Sequence, residues 1–286
     1  LIGQVNDLYS TRCEDCGGYH YENLADEEDS WNDIYEQIAA DILAGKDYKI
    51  NKDLQQKTAE KLISAVKKGF SNDDILSDKS ILAKKLLENV YVFSAAKSAT
   101  QMKYYRDMML GEDGAILSKD SYIKKIADTG EIFNKNYLSA EYENAYYSTI
   151  MADQWSRFAD DEVLEYSTAG DSHVRASHKL LDKYTAPKND PFWKTNYPPN
   201  GWGCRCAVIP GKQRNVSERQ QERFDAGKNS LKIENEKTPF YNNVGLSAQI
   251  FDEKNHPYFK IFSRPELEDV KNEAKIKSQY SESIKK

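Results

Sequence analysis

The chain has 286 residues, enough for one large domain or two modest ones. Its composition, 39% hydrophobic and 30% charged, suits a core-forming chain with amphipathic helices and a polar tail. A net charge of −6 argues against sequence-independent DNA binding as the main activity, because phosphate neutralisation needs a basic surface. No apolar run approaches the roughly 18 residues of a membrane span. The N-terminal LIGQVNDLYS lacks the basic and apolar regions of a signal peptide, and it lacks an initiating Met, as expected of a trimmed or processed start. Four cysteines in this length do not make a disulfide scaffold, so a reducing compartment is expected.

In chain order, CEDCGGYH (13–20) comes first. Its C-x-x-C-G core has the shape of a zinc knuckle, with Cys13 and Cys16 as ligands and His20 as a third. One knuckle is half a site, which Cys204 and Cys206 or a partner chain would have to complete. The alternative is a surface turn with two ordinary thiols. From Asp29 to Gly45, Trp31, Ile34, Tyr35, Ile38 and Ile42 recur at three- and four-residue steps, predicting an amphipathic helix. Leu54 to Val66 predicts a second helix, and Ser80 to Leu110 one or two more, stopped by GEDG. The longest helical signal runs from Lys119 to Phe158 with a break at Gly130. VLEYST (163–168) alternates as a short strand, and AGDSHVRASHKLLDKY reads as a helix opened by Asp171. CRCAVI (204–209) reads as a second strand. Residues 212–236 are polar, a surface helix or linker. The aromatics of 240–260 dock on the body, and from Arg264 the chain is a solvated helix or frayed tail.

Two constellations could carry chemistry. Asp171, Arg175, His178 and Asp182 fall on one stripe if this stretch is helical, pairing Asp171 with Arg175 and His178 with Asp182. That stripe is either an acid/base or metal-binding face or a structural polar network, and the absence of an evident nucleophile favours the network. Cys204 and Cys206 flank Arg205, so in a strand both sulfurs share a face, with Cα atoms about 6.5–7 Å apart, at the limit for a disulfide. One metal could take both only if the backbone turned there; buried packing is the commoner fate of such thiols. Arg205 points the other way, towards an acid or a partner. Between the two lies DPFWKTNYPPNGWGCRC (190–206). Pro191, Pro198 and Pro199 fix φ, Asn200-Gly201 makes a tight turn, and Phe192, Trp193, Tyr197 and Trp202 supply rigid apolar anchors. Asp190 opens this clasp, which feeds the strand.

The stretch EYSTAGDSHVRASHKLLDKYTAPKNDPFWKTNYPPNGWGCRCAVIP resembles the signature segment of the phage Mu F-like minor head proteins, also called phage head morphogenesis proteins. FSAAKSATQ (93–101), YLSAEYENAYYSTIMADQW (137–155) and HPYF (256–259) extend the resemblance to Tyr91–Phe259. The matching positions are Asp171, Arg175, His178, Asp182, Asp190, Trp193, Pro198, Pro199, Gly201, Cys204, Arg205 and Cys206. A glycine is usual after the position of Asp182; here it is Lys183, which argues against a tight turn. The resemblance implies a head-assembly role near the portal of a tailed phage or prophage. The implied partners are the portal protein and the major capsid or scaffolding protein, and any role with packaged DNA is indirect. The implied locations are the virion and, during assembly, the host cytoplasm. A rival of another class is a metal-dependent hydrolase or nuclease using His178, Cys204 and Cys206 with Asp171 or Asp182 as base. The residues imply either no cofactor or a zinc ion. The expected fold is α+β: a predominantly helical N-terminal half, then a small mixed signature domain with short strands. Four segments follow: 1–26 with the candidate knuckle, a helical region 27–115, the head-morphogenesis domain 116–212, and 213–286 with linker, docked aromatics and charged tail.

Overall fold

The computed structural model describes residues 1–10, 28–70 and 81–283. Its N-terminal half gathers helices around a long central one. Helix α1 spans Ile2–Ser10, α2 Glu28–Leu43, α3 Lys52–Gly69, and α4 Ile81–Asp107. Helix α5 (Lys119–Glu131) passes through a π-helical turn, Ile132–Tyr137, into α6 (Leu138–Arg157). Asn51 caps α3 by accepting from the Leu54 amide at 2.9 Å, the sort of N-terminal cap that a short polar side chain provides. The expected break at Gly130 does not occur. The missing side chain there admits the Tyr35 ring of α2, which a Cβ would approach to 2.3 Å.

Neighbours close on α4 from several sides because Ala95, Ala96 and Ala99 are small and buried alongside Leu86, Val90, Phe93 and Met102. A helix buried in this way must satisfy its own polar side chains inside the protein. Ser94 and Thr100 donate one turn back, to the Val90 and Ala96 carbonyls at 2.9 and 2.8 Å. Ser98 exchanges hydrogen bonds with the backbone of Asn51. Gln101 and Asn134 pair through their amides at 3.2 and 2.9 Å. Lys97 is the extreme case. Its ammonium donates to Glu141 Oε2 of α6 at 2.5 Å and to the Phe133 carbonyl of the π turn at 2.7 Å, with both charged side chains wholly buried. The Tyr9 hydroxyl of α1 donates to the other carboxylate oxygen, Glu141 Oε1, at 2.5 Å. Burial pushes the Glu141 carboxyl up and the Lys97 ammonium down, and each partner's charge opposes that drift.

Beyond α6 lies a three-stranded antiparallel sheet in the order β2-β1-β3. Strand β1 is Val163–Ser167, β2 is Thr185–Pro187 and β3 is Ala207–Pro210; Leu164 stands opposite Ala186 on one side and Pro210 on the other. Helices α7 (Ala176–Leu181), α8 (Trp193–Asn196) and α9 (Glu218–Asn235) pack around it. Leu164, Tyr166, Leu181, Trp193, Val208 and Phe224 belong to this second core, separate from the helical one. The architecture is thus α+β with a helical N-terminal half. Residues 218–235, left open between helix and linker by their polarity, form a helix opened by a Ser217/Gln220 capping box.

The last elements are α10 (Val244–Ser247), a 3-10 turn (Pro257–Ile261) and α11 (Arg264–Ser283). Of the solvated helix or frayed tail that its charge suggested, the helix forms as α11, but it is docked and not solvated on all sides: Val270 and Ala274 are buried in the helical core. Glu273 accepts from Lys52 and from the Tyr91 hydroxyl, each at 2.9 Å. His256 caps the 3-10 turn, its Nδ1 accepting from the Tyr258 amide at 3.3 Å. Its ring stands edge-on to Phe93, 5.0 Å between centroids. Burial, with the Lys97 charge nearby, pushes its pKa well below the ordinary value.

Removing one half of the buried pair strands the other charge, so Lys97→Met should lower unfolding stability by about 3–5 kcal/mol. Lys97→Met/Glu141→Leu should regain much of that loss in the same denaturant titration. A separate expectation concerns pH. His256 stays neutral when folded, whereas the unfolded chain binds a proton near pH ~6.5, so its contribution is lost as pH falls below that value. His256→Asn keeps an acceptor for the cap and should flatten that part of the Tm-versus-pH curve; an unchanged slope would clear His256 as the source.

Candidate functional site

The stripe expected of Asp171, Arg175, His178 and Asp182 does not form. Helix α7 begins only at Ala176, with Arg175 at its N-cap and Asp171 upstream at a bend. Once the helix shrinks to six residues, the i,i+4 pairings vanish and each side chain finds another partner. Asp171 takes a two-pronged bond from Arg205, at 2.8 and 2.9 Å, which holds its carboxyl below the usual range. Arg175 donates to the Trp202 carbonyl at 2.6 Å. Asp182 accepts from the amide and hydroxyl of Thr168, at 3.0 and 2.8 Å, tying the end of α7 to the end of β1.

His178 turns inward. It is 1% exposed, and its Nδ1 lies 3.3 Å from Cys206 Sγ and 3.7 Å from Cys204 Sγ. The strand expected over 204–209 starts at Ala207 instead, so the two cysteines sit on irregular backbone just after Gly203, whose φ is +68°. That turn brings the imidazole nitrogen and both sulfurs within 4.8 Å of one another, where a regular strand would have held the cysteines apart. The thiols are reduced and buried. A hydrogen bond from Cys206 holds the Cys204 thiol well below its ordinary pKa against the opposing effect of burial, and His178 helps. The same bond, with burial, pushes the Cys206 thiol up. The Tyr166 hydroxyl faces Cys206 and the Asn200 backbone N–H faces Cys204. A cavity of about 10 Å³ adjoins the cluster, bordered by His173, His178, Cys204 and Cys206. Among the described residues this is the one group of three such side chains placed to share a metal. Cys13, Cys16 and His20 lie outside the described residues.

The clasp holds this cluster in place by spanning both cores. Phe192, Trp193 and Tyr197 are buried in the second core, whereas Trp202 is buried in the helical one. Asp190 Oδ1 accepts from the Phe192 amide at 2.8 Å and starts the turn. The Tyr197 hydroxyl donates to the Met151 carbonyl at 3.0 Å, and Asn200 donates to Tyr166 Oη at 3.3 Å. The Pro198-Pro199 peptide is cis. Gly201 has φ +129°, and the Arg175 guanidinium lies 3.3 Å from where its Cβ would stand. Trp202 stacks on Tyr9 at 4.9 Å and donates from Nε1 to the Leu8 carbonyl at 3.1 Å.

Sequence reasoning missed Lys97, Glu141 and His256. The available signal was a lone lysine inside the otherwise small and uncharged run of AAKSAT.

The family described as Phage Mu protein F like protein matches residues 56–209. That match begins inside α3, upstream of Tyr91, and ends in β3 before HPYF. The chain is 41% identical over 64 residues to the Mu-like prophage FluMu F protein of Haemophilus influenzae, covering 22% of this chain and 16% of that protein. It is 43% identical over 44 residues to the Putative capsid assembly protein F of Escherichia phage Mu, covering 15% of this chain and 10% of that one. Each similarity therefore spans well under a quarter of the curated relative. No solved structure matches.

The tight turn that Lys183 seemed to argue against is present. Lys183 has φ +68°, and the Tyr184 amide donates to the Leu181 carbonyl at 2.9 Å, closing a turn whose third residue favours glycine. Lys183→Gly should therefore stabilise the protein by up to about 1 kcal/mol in thermal or denaturant unfolding.

Proposed function

The chain belongs to the phage Mu protein F-like family, and from that premise we propose that it acts in head morphogenesis as a minor, capsid-associated component beside the portal. The observation that carries this reading is the family match over residues 56–209, joined by similarity to a relative named for capsid assembly. Its partners are the portal protein and the major capsid or scaffolding protein. Its places are the virion and, during assembly, the host cytoplasm. A net charge of −6 fits protein partners better than nucleic acid, so any part in handling packaged DNA is indirect.

The reading is structural, not enzymatic. A hydrolase or nuclease working through His178, Cys204 and Cys206 needs its substrate to reach them. The adjoining cavity of about 10 Å³ has room for about one water. Ligand sites usually enclose roughly 300–1,000 Å³. The polar signature residues Asp171, Arg175, Asp182 and Arg205 are also engaged in internal hydrogen bonds.

Co-expression with the portal protein, and separately with the major capsid protein, of the same phage or prophage tests the proposal. A tagged chain should retain the portal through gel filtration, and peptides of this chain should be found in purified heads. Elution alone from both partners, together with absence from heads, would overturn it.

A further inference from the structure

We propose that His178 Nδ1, Cys204 Sγ and Cys206 Sγ, with the His173 imidazole as fourth donor, bind a structural zinc ion that locks α7 to the clasp. The inference rests on the geometry of His178, Cys204 and Cys206, with His173 assigned from its place on the adjoining cavity, and is independent of the role in head assembly.

The distances fit a tetrahedral ion. With Zn–S near 2.3 Å and Zn–N near 2.0–2.1 Å, the nitrogen-to-sulfur edge of a tetrahedron is about 3.6 Å. The observed edges are 3.3 and 3.7 Å, and all three donor atoms lie within 4.8 Å of one another. Two sulfurs and an imidazole are a soft donor set that selects zinc over magnesium or calcium. Two thiolates would cancel the ion's charge, which suits a site with three donors 1%, 4% and 8% exposed and the fourth, His173, on its open side.

The surroundings point the same way. His178 Nε2 is buried with no hydrogen-bond partner, so Nδ1, which faces both sulfurs, is the ring nitrogen with partners. His173 borders the same cavity as His178 and both cysteines, and the Asp171 carboxylate holds its backbone amide at 3.0 Å. The spacing then reads His-x4-His followed by Cys-x-Cys, with each pair supplied by one side of the site. A closed four-ligand site is structural, because no position is left for a reacting water.

The test uses the full chain, reduced and zinc-loaded, with elemental analysis after removal of free metal. One zinc per chain is expected, kept in Cys13→Ser/Cys16→Ser and lost in Cys204→Ser/Cys206→Ser. Metal below stoichiometry, or metal that follows Cys13 and Cys16, overturns the proposal. The double serine variant at 204 and 206 strips two buried side chains from the core, so cobalt loading of Cys13→Ser/Cys16→Ser gives a second reading on a chain that keeps the site. Thiolate-to-cobalt charge-transfer bands with intense tetrahedral d–d absorption are expected; their absence means a hydrogen-bonded thiol cluster and overturns the site. His173→Ala should weaken zinc at least about tenfold against a competing chelator. Unchanged affinity would overturn the assignment of the fourth donor.

Discussion

The burial of Lys97 against Glu141 is the constraint on which the rest of the structure depends. Two charges removed from water tolerate few arrangements, because each lone pair and proton left unmatched costs several kcal/mol. Here the ammonium takes the Phe133 carbonyl along with the carboxylate, and the carboxylate takes the Tyr9 hydroxyl. Those partners come from α1, α4, α6 and the π turn, so satisfying one ion pair fixes the positions of four elements. The π turn accommodates this directly. The Phe133 carbonyl accepts from the Leu138 amide, one residue beyond α-helical spacing, while also facing Lys97.

The constraint reaches the clasp through α1. Tyr9, held by Glu141, is the ring on which Trp202 stacks, and the neighbouring Leu8 carbonyl accepts the indole N–H. Trp202 thereby anchors in the helical core one end of a loop whose other aromatics, Phe192, Trp193 and Tyr197, are buried in the second core. A segment with so little regular structure cannot hold itself by a hydrogen-bond ladder. Large rigid side chains do that work at small entropic cost. The glycines at 201 and 203, with φ of +129° and +68°, let the chain turn beneath Arg175 and deliver both cysteines to His178. The matched family region, 56–209, contains the buried pair, the clasp and the thiol cluster.

The sequence alone settled a good deal. Three- and four-residue periodicity located α2, α3, α4 and α6, since an amphipathic pattern is a local consequence of burying one helical face. Alternation located β1, and the odd composition of 190–206 marked a rigid aromatic loop. The signature letters also carried the family. Tertiary structure decided what each polar side chain was for. Asp171, Arg175, His178 and Asp182 share a spacing that invites pairing, yet α7 is too short to present them on one face, and partners distant in sequence took three of them. The thiols met the imidazole only because the backbone enters the strand after Cys206 and not before Cys204. Lys97 and Glu141, 44 residues apart, look like ordinary surface charges until α4 and α6 are packed. The physical reason is one of range: a helix or strand pattern is written in neighbouring residues, whereas the partner of a buried charge or thiol is chosen by which surfaces the folded chain brings together.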